Sequence, residues 1–409
     1  MKIQPNYIIH NYQCIEAGNK LEGQRYSAHE IGAHENLDGF TKATEDNQGD
    51  LKVVHQIRRH SKSPGENADK LINLGMSTGL LIGFANPLLG LGVTALTGGA
   101  YLLRRFKKGA APLSIEHVTS GDHKLESSFA STKSGVKTLR TRGQKNTLGQ
   151  NLTEQMRDYP AAKHLVQISG HGGTNRSAEL SFEELGEQLR QAVREGGKPI
   201  DVAVFKSCST GQLENMVSLM GGAKTAVASA QYIYSYNYPT QNLYSPSNLQ
   251  GEAPEIAAKM ATKLHQSISA PQSRAIDLQK LENKTLPELE SLGEHLSQEI
   301  KRGKHLDVLA CISGSTIENP RDGGERLRFD LAKSLKAMEG SDRLSMQTRL
   351  AARKSLDSLP FLDTEGTAEL SMSFHLNPDT ESMKENLPQW SQFMGDFRKA
   401  LTAERRLTD

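Results

Sequence analysis

The 409-residue sequence has few cysteines and almost no net charge. Its three cysteines, Cys14, Cys208 and Cys311, are widely spaced and odd in number, which argues against a disulfide framework or a zinc site and predicts a reducing environment. A net charge of +2 gives no reason to expect nucleic acid as a partner. The first twenty residues lack an apolar core, so a conventional signal peptide is not expected. We therefore expect a protein that is cytoplasmic or delivered into another cell by a different route.

The first 110 residues differ in character from the rest. Residues 1–70 are polar with little periodicity, which predicts a weakly ordered N-terminal arm. The stretch from Leu71 to Leu103 contains no charged residue and is broken by Asn86-Pro87. This pattern predicts an apolar helical hairpin within residues 71–110. Two alternatives fit it equally well, namely insertion into a membrane and packing against the rest of the protein.

Residues 111–409 have the composition of an ordinary soluble domain, centred on two apolar runs. The first run starts at His164 and stops at His171, which glycines surround, and the second starts at Ile200 and stops at Cys208. Residues 181–195 between them repeat apolar positions at helical spacing. A strand, a helix and a strand form a crossover that joins parallel neighbours in a sheet. The sequence thus predicts that His171 and Cys208 meet at the carboxyl edge of the sheet.

A cysteine beside a histidine at such an edge suits acyl transfer. A thiolate attacks a carbonyl, and an imidazole can protonate the leaving amine. Glycine at position 172 allows close backbone approach, so the amides of Gly172 and Cys208 could hold the oxyanion. Taken alone, a strand-end cysteine is usually an inert small hydrophobe and a histidine beside glycine a turn residue. Their joint placement favours catalysis.

The order of these motifs resembles the caspase-like cysteine peptidases of clan CD. The shared pattern is an apolar strand, Ser-Gly-His-Gly-Gly, a helix, a second strand, and a Cys followed by Ser-Thr-Gly. Three further stretches are similar to the clostripain-like family within that clan: Ala-Val-Ala-Ser-Ala-Gln at 226–231, Ser-Arg-Ala-Ile-Asp-Leu-Gln-Lys-Leu at 273–281, and Leu-Ser-Met-Ser-Phe-His-Leu at 370–376 with its following Trp-Ser-Gln-Phe-Met. The resemblance covers residues 113–401.

The resemblance implies a caspase-like α/β/α sandwich with a central, mostly parallel sheet, preceded here by the N-terminal extension. It also implies a cysteine endopeptidase acting on protein substrates, with Cys208 as nucleophile, His171 as its dyad partner and Gly172 in the oxyanion hole. No cofactor is implied; some relatives use calcium, but no calcium-loop motif occurs in this sequence. Relatives often mature by cutting themselves, for which residues 61–69 and 236–251 are exposed candidates.

One departure from the family bears on specificity. Two residues before the cysteine the family has an Asp that receives a substrate Arg or Lys, and this chain has Lys206. Residues i and i+2 of a strand face the same way, so Lys206 is expected in the same pocket with opposite charge. This predicts a non-basic residue before the scissile bond, either acidic or Asn or Gln, with Ser229 and Tyr232 as neighbouring pocket walls. The alternative is a Lys206 that turns outward into solvent.

Two other functions compete with an active peptidase. The chain could be an inactive relative that keeps the peptidase fold as a binding module, or a membrane-associated interaction protein that acts through residues 71–103 with the peptidase fold as its scaffold. An active enzyme with that hairpin and without a conventional signal would suit a toxin or effector delivered into a target cell.

Overall fold

The computed structural model describes residues 5–16, 36, 39–40, 42–47, 50–60, 114–119, 147–170, 172, 176–178, 180–230, 240–266, 273–317, 328–362, 373–375 and 381–408. Seven strands form the main sheet: β1 (Tyr7–Glu16), β2 (Leu51–His60), β3 (Ser114–Thr119), β4 (Lys163–Ser169), β7 (Ile200–Lys206), β8 (Ala223–Ser229) and β9 (Ser273–Asp277). A short hairpin pairs β5 (Arg176–Ser177) with β6 (Leu180–Ser181), and a small sheet contains β10 (Thr316–Ile317), β11 (Arg328–Asp330) and β12 (Ser373–His375).

The strands of the main sheet follow the order β3-β2-β1-β4-β7-β8-β9. The central five run parallel, whereas β3 and β9 run antiparallel to their neighbours at the two edges. This is the mostly parallel sheet that the sequence predicts. The chain leaves β1 toward β2 on one side and later returns to β4 on the other. The carboxyl ends of β1 and β4 therefore flank a topological switch point, where α/β sheets bind ligands.

Helices account for most of the remaining described chain. They are α1 (Leu148–Asp158), α2 (Phe182–Gly196), α3 (Leu213–Leu219), α4 (Thr240–Leu243), α5 (Pro246–Leu249), α6 (Ala253–His265), α7 (Leu278–Lys280), α8 (Leu286–Lys301), α9 (His305–Ser313), α10 (Leu331–Gly340), α11 (Met346–Asp357), α12 (Glu381–Asn386) and α13 (Pro388–Thr408). A π-helical turn, Leu281–Thr285, joins α7 to α8.

The unit β4–α2–β7 has the predicted strand–helix–strand form. A capping box starts α2: the Ser181 hydroxyl accepts the Glu184 N–H at 3.1 Å, and the Glu184 carboxylate accepts the Ser181 N–H at 2.8 Å. Gly197 ends the helix with φ of +89°, a conformation that favours glycine. The two strands are adjacent and parallel, with Ser169 opposite Lys206. The tips of both predicted strands therefore lie at one edge of the sheet.

Strand β7 is buried on both faces of the sheet. Ala203 and Phe205 belong to the apolar core that includes α2, and the Phe182 and Phe205 rings lie 5.2 Å apart. Val202 and Val204 belong to a second core that includes α6. We call these sides the α2 face and the α6 face. Burial on both faces explains why the sequence of β7 is a continuous apolar run and does not alternate.

The expectation of a weakly ordered arm over residues 1–70 is wrong for β1, for β2 and for the helical residues 42–46, of which Ala43 is buried in the core on the α6 face. β1 and β2 are strands of the main sheet, and β1 lies between β2 and β4 with Ile8 fully buried. The polar residues of β1 have partners inside the protein: Asn11 lies 3.1 Å from the His55 ring and accepts a hydrogen bond from Gln167 at 3.2 Å. The folded domain therefore begins with β1 and includes strands on both sides of the apolar stretch.

The apolar hairpin predicted over residues 71–110 lies outside the described residues, as does the candidate cleavage segment 61–69. Among the residues that the structure describes, no helix is long and apolar enough to cross a membrane. Cleavage within the other candidate, 236–251, stays a prediction. That segment is described from residue 240 onward, where Asn242, Pro246, Ser247 and Gln250 are exposed and Leu243, Tyr244 and Leu249 are buried. It forms α4 and α5, and the buried Tyr244 hydroxyl donates to Gln167 Oε1 at 2.8 Å.

Two buried histidines lie side by side on β1 and β4. His164 Nε2 donates to the Tyr159 carbonyl at 3.1 Å, so His164 Nδ1 is the acceptor for His10 Nε2 at 3.3 Å. Burial lowers the pKa of His164 to about 4. Burial also lowers the pKa of His10 well below its ordinary value, and the nearby His164 and Lys52 add to the effect. Both imidazoles are therefore neutral in the folded protein near neutral pH.

This histidine pair predicts a loss of stability in acid. An unfolded histidine has a pKa of about 6.5, so between about pH 6.5 and pH 4 the unfolded chain binds more protons and stability falls as the pH falls. For His164 the shift corresponds to about 3 kcal/mol of unfolding free energy at pH 4. Urea denaturation across this range should show a flatter pH dependence in His164→Gln. His265→Gln, which replaces a half-buried histidine at the end of α6, serves as the matched control. An unchanged slope in His164→Gln would contradict the assignment.

Candidate active site

The cysteine turn, residues 207–211, follows β7 at the carboxyl edge of the main sheet, and Cys208 is half-buried on it. Hydrogen bonds from within the turn and from its neighbours fix its shape: Thr210 Oγ1 to the Ser207 carbonyl at 3.3 Å, Gln212 Nε2 to the Ser209 carbonyl at 2.8 Å, and the Gly211 N–H to the Ser229 carbonyl at 2.8 Å. The backbone that carries the thiol is therefore held both to the chain that follows it and to the end of β8.

The residue after the cysteine is strained. Ser209 has φ of +55°, in the left-handed region, which costs a non-glycine residue roughly 1–2 kcal/mol. Strained residues of this kind cluster at functional sites, where the surrounding hydrogen bonds hold them in place. The chain turns sharply here, because β7 ends at Lys206 and α3 begins at Leu213. A sharp turn between a strand and a helix is a common way of exposing a nucleophile at the edge of a sheet.

The segment after β4 packs directly against the cysteine turn. β4 ends at Ser169, and Gly170 has φ of +152°. A Cβ atom added to Gly172 would lie 2.6 Å from the Cys208 amide nitrogen and would also collide with the Cys208 carbonyl. Only glycine allows the two backbones to come this close. The backbones of Gly172 and Cys208 are therefore in close contact. Their role as an oxyanion hole stays a prediction.

His171 lies outside the described residues, although its neighbours Gly170 and Gly172 are described. Gly170 directly follows β4, and Gly172 lies against the cysteine turn that follows β7. The contact between imidazole and thiol stays a prediction.

Lys206 is the last residue of β7 and points toward the α6 face, with Val202 and Val204. Only 7% of it is exposed, so the alternative in which it turns outward into solvent is wrong. Its Nζ donates to Asn36 Oδ1 at 3.1 Å and to Thr240 Oγ1 at 3.3 Å, and Thr240 in turn donates to Asn36 Oδ1. Burial lowers the pKa of Lys206 to about 8. The ammonium is thus mostly charged at neutral pH, and the oxygens of Asn36 and Thr240 are two of its acceptors.

The other predicted site residues have different outcomes. Ser229 is fully buried at the end of β8, and its carbonyl accepts the Gly211 N–H, so it borders the cysteine turn through its main chain. Tyr232 lies outside the described residues. Cys311 is buried on α9, and burial raises the pKa of its thiol. In the described part of the chain, no group of three His, Cys, Asp or Glu residues could hold a metal ion.

Sequence reasoning missed three residues that shape this region. Asn36 and Thr240 hold the Lys206 ammonium, and Ser177, at the end of β5, forms an antiparallel bridge with Gly172. None of them lies in a motif. The sequence offered one indirect indication of these residues, namely the expected burial of Lys206. A buried ammonium needs hydrogen-bond acceptors, but that need does not identify the residues that supply them.

No protein-family model matches the sequence, and no curated protein matches it either. Among solved structures, the chain is similar to an inactive zymogen of a C11 protease from Parabacteroides distasonis, at 12% identity and a TM-score of 0.54, over 98% of this chain and 99% of that one. It is also similar to a secreted C11 cysteine protease from Bacteroides thetaiotaomicron in complex with an irreversible peptide inhibitor, at 13% identity and a TM-score of 0.46, over 95% and 99% of the two chains.

The chain has the fold of the Parabacteroides C11 protease. The caspase-like α/β/α architecture that the resemblance implies is therefore confirmed. The match extends over nearly the whole of both chains, which agrees with the presence of β1 and β2 in the main sheet. At 12% identity the likeness concerns the fold alone, and the chemistry has to be argued from the site.

Proposed function

We propose that this chain is a cysteine endopeptidase in which Cys208 is the nucleophile and His171 its acid–base partner. One observation carries the proposal: the backbone of Gly172, next to His171, packs against the backbone of Cys208. A half-buried thiol on a strained, hydrogen-bonded turn is thereby joined to a histidine-bearing segment, on a fold shared with a C11 protease. Nucleophilic acyl transfer needs a thiol and a base on neighbouring segments, and the contact between Gly172 and Cys208 supports such a pairing.

The proposed reaction has two stages. The Cys208 thiolate attacks the carbonyl carbon of the scissile peptide, and amides of Gly172 and Cys208 hold the resulting oxyanion. The His171 imidazolium donates its proton to the leaving nitrogen as the carbon–nitrogen bond breaks, which leaves a thioester on Cys208. The neutral imidazole then takes a proton from water, whose oxygen attacks the thioester. The tetrahedral intermediate collapses as the carbon–sulfur bond breaks, so Cys208 leaves as a thiolate and the carboxylic acid product departs. The imidazolium keeps the proton that it took from water, which restores the starting thiolate–imidazolium pair.

Lys206 supports a proposal about the substrate. A basic substrate side chain placed beside its ammonium would bring two cations together in a low-dielectric interior, which is repulsive by several kcal/mol. A substrate carboxylate would form a charge-assisted hydrogen bond, stronger than those that the neutral oxygens of Asn36 and Thr240 offer. We therefore propose that the residue before the cut is acidic, or is Asn or Gln, whose amide oxygens are neutral acceptors.

The competing function is an inactive peptidase-fold interaction protein. Such a protein would need neither a thiol on a strained turn nor a glycine pressed against it, so the geometry at Gly172 and Cys208 favours the enzyme. Membrane contact through residues 71–103 and delivery as an effector are separate predictions, because that stretch lies outside the described residues.

The proposal is tested by incubating wild-type protein and the Cys208→Ala variant with a denatured proteome and sequencing the new N-termini. Wild-type protein is expected to generate N-termini that Cys208→Ala does not, and the residue preceding them should be Asp, Glu, Asn or Gln. A set of cuts after Arg or Lys would contradict the Lys206 proposal alone. Identical N-termini from both proteins would reject the peptidase and favour the interaction protein.

A further inference from the structure

We call Gly170 and Gly172, which flank His171 in the sequence, the histidine segment. A small hairpin lies between this segment and the helix α2 along the chain. β5 and β6 pair through Ser177 and Leu180, and Ala178 in the turn between them has φ of +48°. The hairpin leads directly into α2, whose N-cap is Ser181. Ser177 also forms the antiparallel bridge with Gly172. The hairpin therefore links Gly172 to the long helix α2, which begins with a capping box.

The same hairpin contacts the cysteine turn through one side chain. Ser177 Oγ donates to Ser207 Oγ at 2.8 Å, and both serines are almost completely buried, at 0% and 1% exposure. Ser207 immediately precedes Cys208, and its carbonyl accepts the Thr210 hydroxyl. Gly172 is thus linked to Ser177 by the bridge, and Ser177 to the residue before the nucleophile by a buried hydrogen bond. Water cannot readily replace a bond at this depth, so the link is expected to persist.

We propose that Ser177 and Ser207 are positioning residues, whose hydrogen bond sets the distance between the histidine segment and the cysteine turn. The inference rests on the proposed peptidase function. The two catalytic groups come from different strand tips, so their separation depends on contacts between those tips. A displacement of about 1 Å can reduce the rate of such a reaction about 100-fold without contact to the substrate.

The expected effect is on the chemical step. Ser177→Ala and Ser207→Ala should each lower kcat about 10- to 100-fold and change KM by less than about twofold. The double variant should be no worse than the single ones, because either change breaks the same bond. Alkylation of Cys208 by iodoacetamide should also require a higher pH in these variants, since a displaced imidazolium stabilises the thiolate less. Ser177→Thr keeps the hydroxyl and should retain most of the activity.

A matched control exists elsewhere in the chain. Ser315 and Ser334 form another buried serine–serine hydrogen bond, at 2.5 Å, between the end of α9 and α10. Ser315→Ala removes that bond and should lower the melting temperature while leaving kcat and the alkylation curve unchanged. If the Ser177 and Ser207 variants behave like this control, the positioning role is wrong and the bond is structural. If wild-type protein cleaves nothing but its variants still shift the alkylation curve, the proposed function fails and the coupling of the two segments stands.

Discussion

Replacing His171 with alanine is expected to lower kcat/KM by about 10³-fold or more, with no loss of folding. A positioned acid–base group contributes about 10²- to 10⁴-fold, and here the same imidazole also stabilises the attacking thiolate. Cys208→Ala should reduce activity further, to background, because the covalent route is then absent. Both losses are expected in kcat, since neither side chain is proposed to bind the substrate in its ground state. Steady-state kinetics on a peptide chosen from the observed cleavage sites measures them.

The two substitutions are expected to be non-additive. With the nucleophile absent, the histidine has nothing to activate, so Cys208→Ala/His171→Ala should be as inactive as Cys208→Ala alone. Cys311→Ala and His265→Ala are matched controls, because each removes the same kind of side chain from α9 or α6 and should keep wild-type kinetics. A His171→Ala variant within tenfold of wild type would mean that another group is the base.

The central part of the fold could be predicted because its strands are continuous apolar runs and the helix between them has regular helical spacing. The runs that became β4 and β7 are buried on both faces, and the segment between them has helical spacing and a capping box at Ser181 and Glu184. Chirality and short connections then leave few alternatives to parallel neighbours. The position of Cys208 at the edge of the sheet follows from this local reasoning alone.

The N-terminal strands could not be predicted because their burial is not visible in their composition. β1 carries Asn11 and Gln13 toward the α6 face, and β2 carries His55 there, all of them buried. They form a row of polar side chains across the sheet, with Gln167 and Tyr244 as partners. Buried polar residues are tolerated when their hydrogen bonds are satisfied inside the protein. An interpretation that takes polar residues to be exposed therefore predicts a weakly ordered arm where the structure has the strands β1 and β2.

Residues with a characteristic chemistry could be proposed for the site from the sequence. Residues that only hold those side chains or their backbone in place could not. Cys208 and Gly172 each follow an apolar run in the sequence, so their positions at the tips of strands could be predicted. Asn36 is 170 positions from Lys206 in the sequence, and Ser177 is 30 positions from Ser207. A single amide or hydroxyl forms no sequence pattern from which its hydrogen-bond partner could be predicted. Such contacts depend on how whole elements pack, so they require the three-dimensional structure.

Lys206→Asp is expected to invert the preference for the residue before the cut. In the wild-type protein an acidic residue, or Asn or Gln, should be favoured over Arg or Lys by about 100-fold or more, because a like-charge pair in this interior is repulsive by several kcal/mol. The carboxylate should then accept Arg or Lys instead. Asn36 can turn its amide to donate to the new side chain, and the Thr240 hydroxyl can rotate to do the same. A peptide series that differs only at this position, measured as ratios of kcat/KM, gives the result.

The neutral variant Lys206→Met separates charge from shape. This variant should lose the preference for acidic substrate residues without gaining one for basic residues. The methionine side chain keeps the approximate length and apolar character of the lysine side chain but carries no charge. The wild-type preference should weaken above about pH 8, where Lys206 loses its proton. Lys52→Met is the matched control: Lys52 is also 7% exposed and donates to a neutral oxygen, Gln155 Oε1 at 2.8 Å, but lies on β2. If Lys206→Asp and Lys52→Met both keep the wild-type preference, the buried ammonium supports the fold and another group selects the substrate.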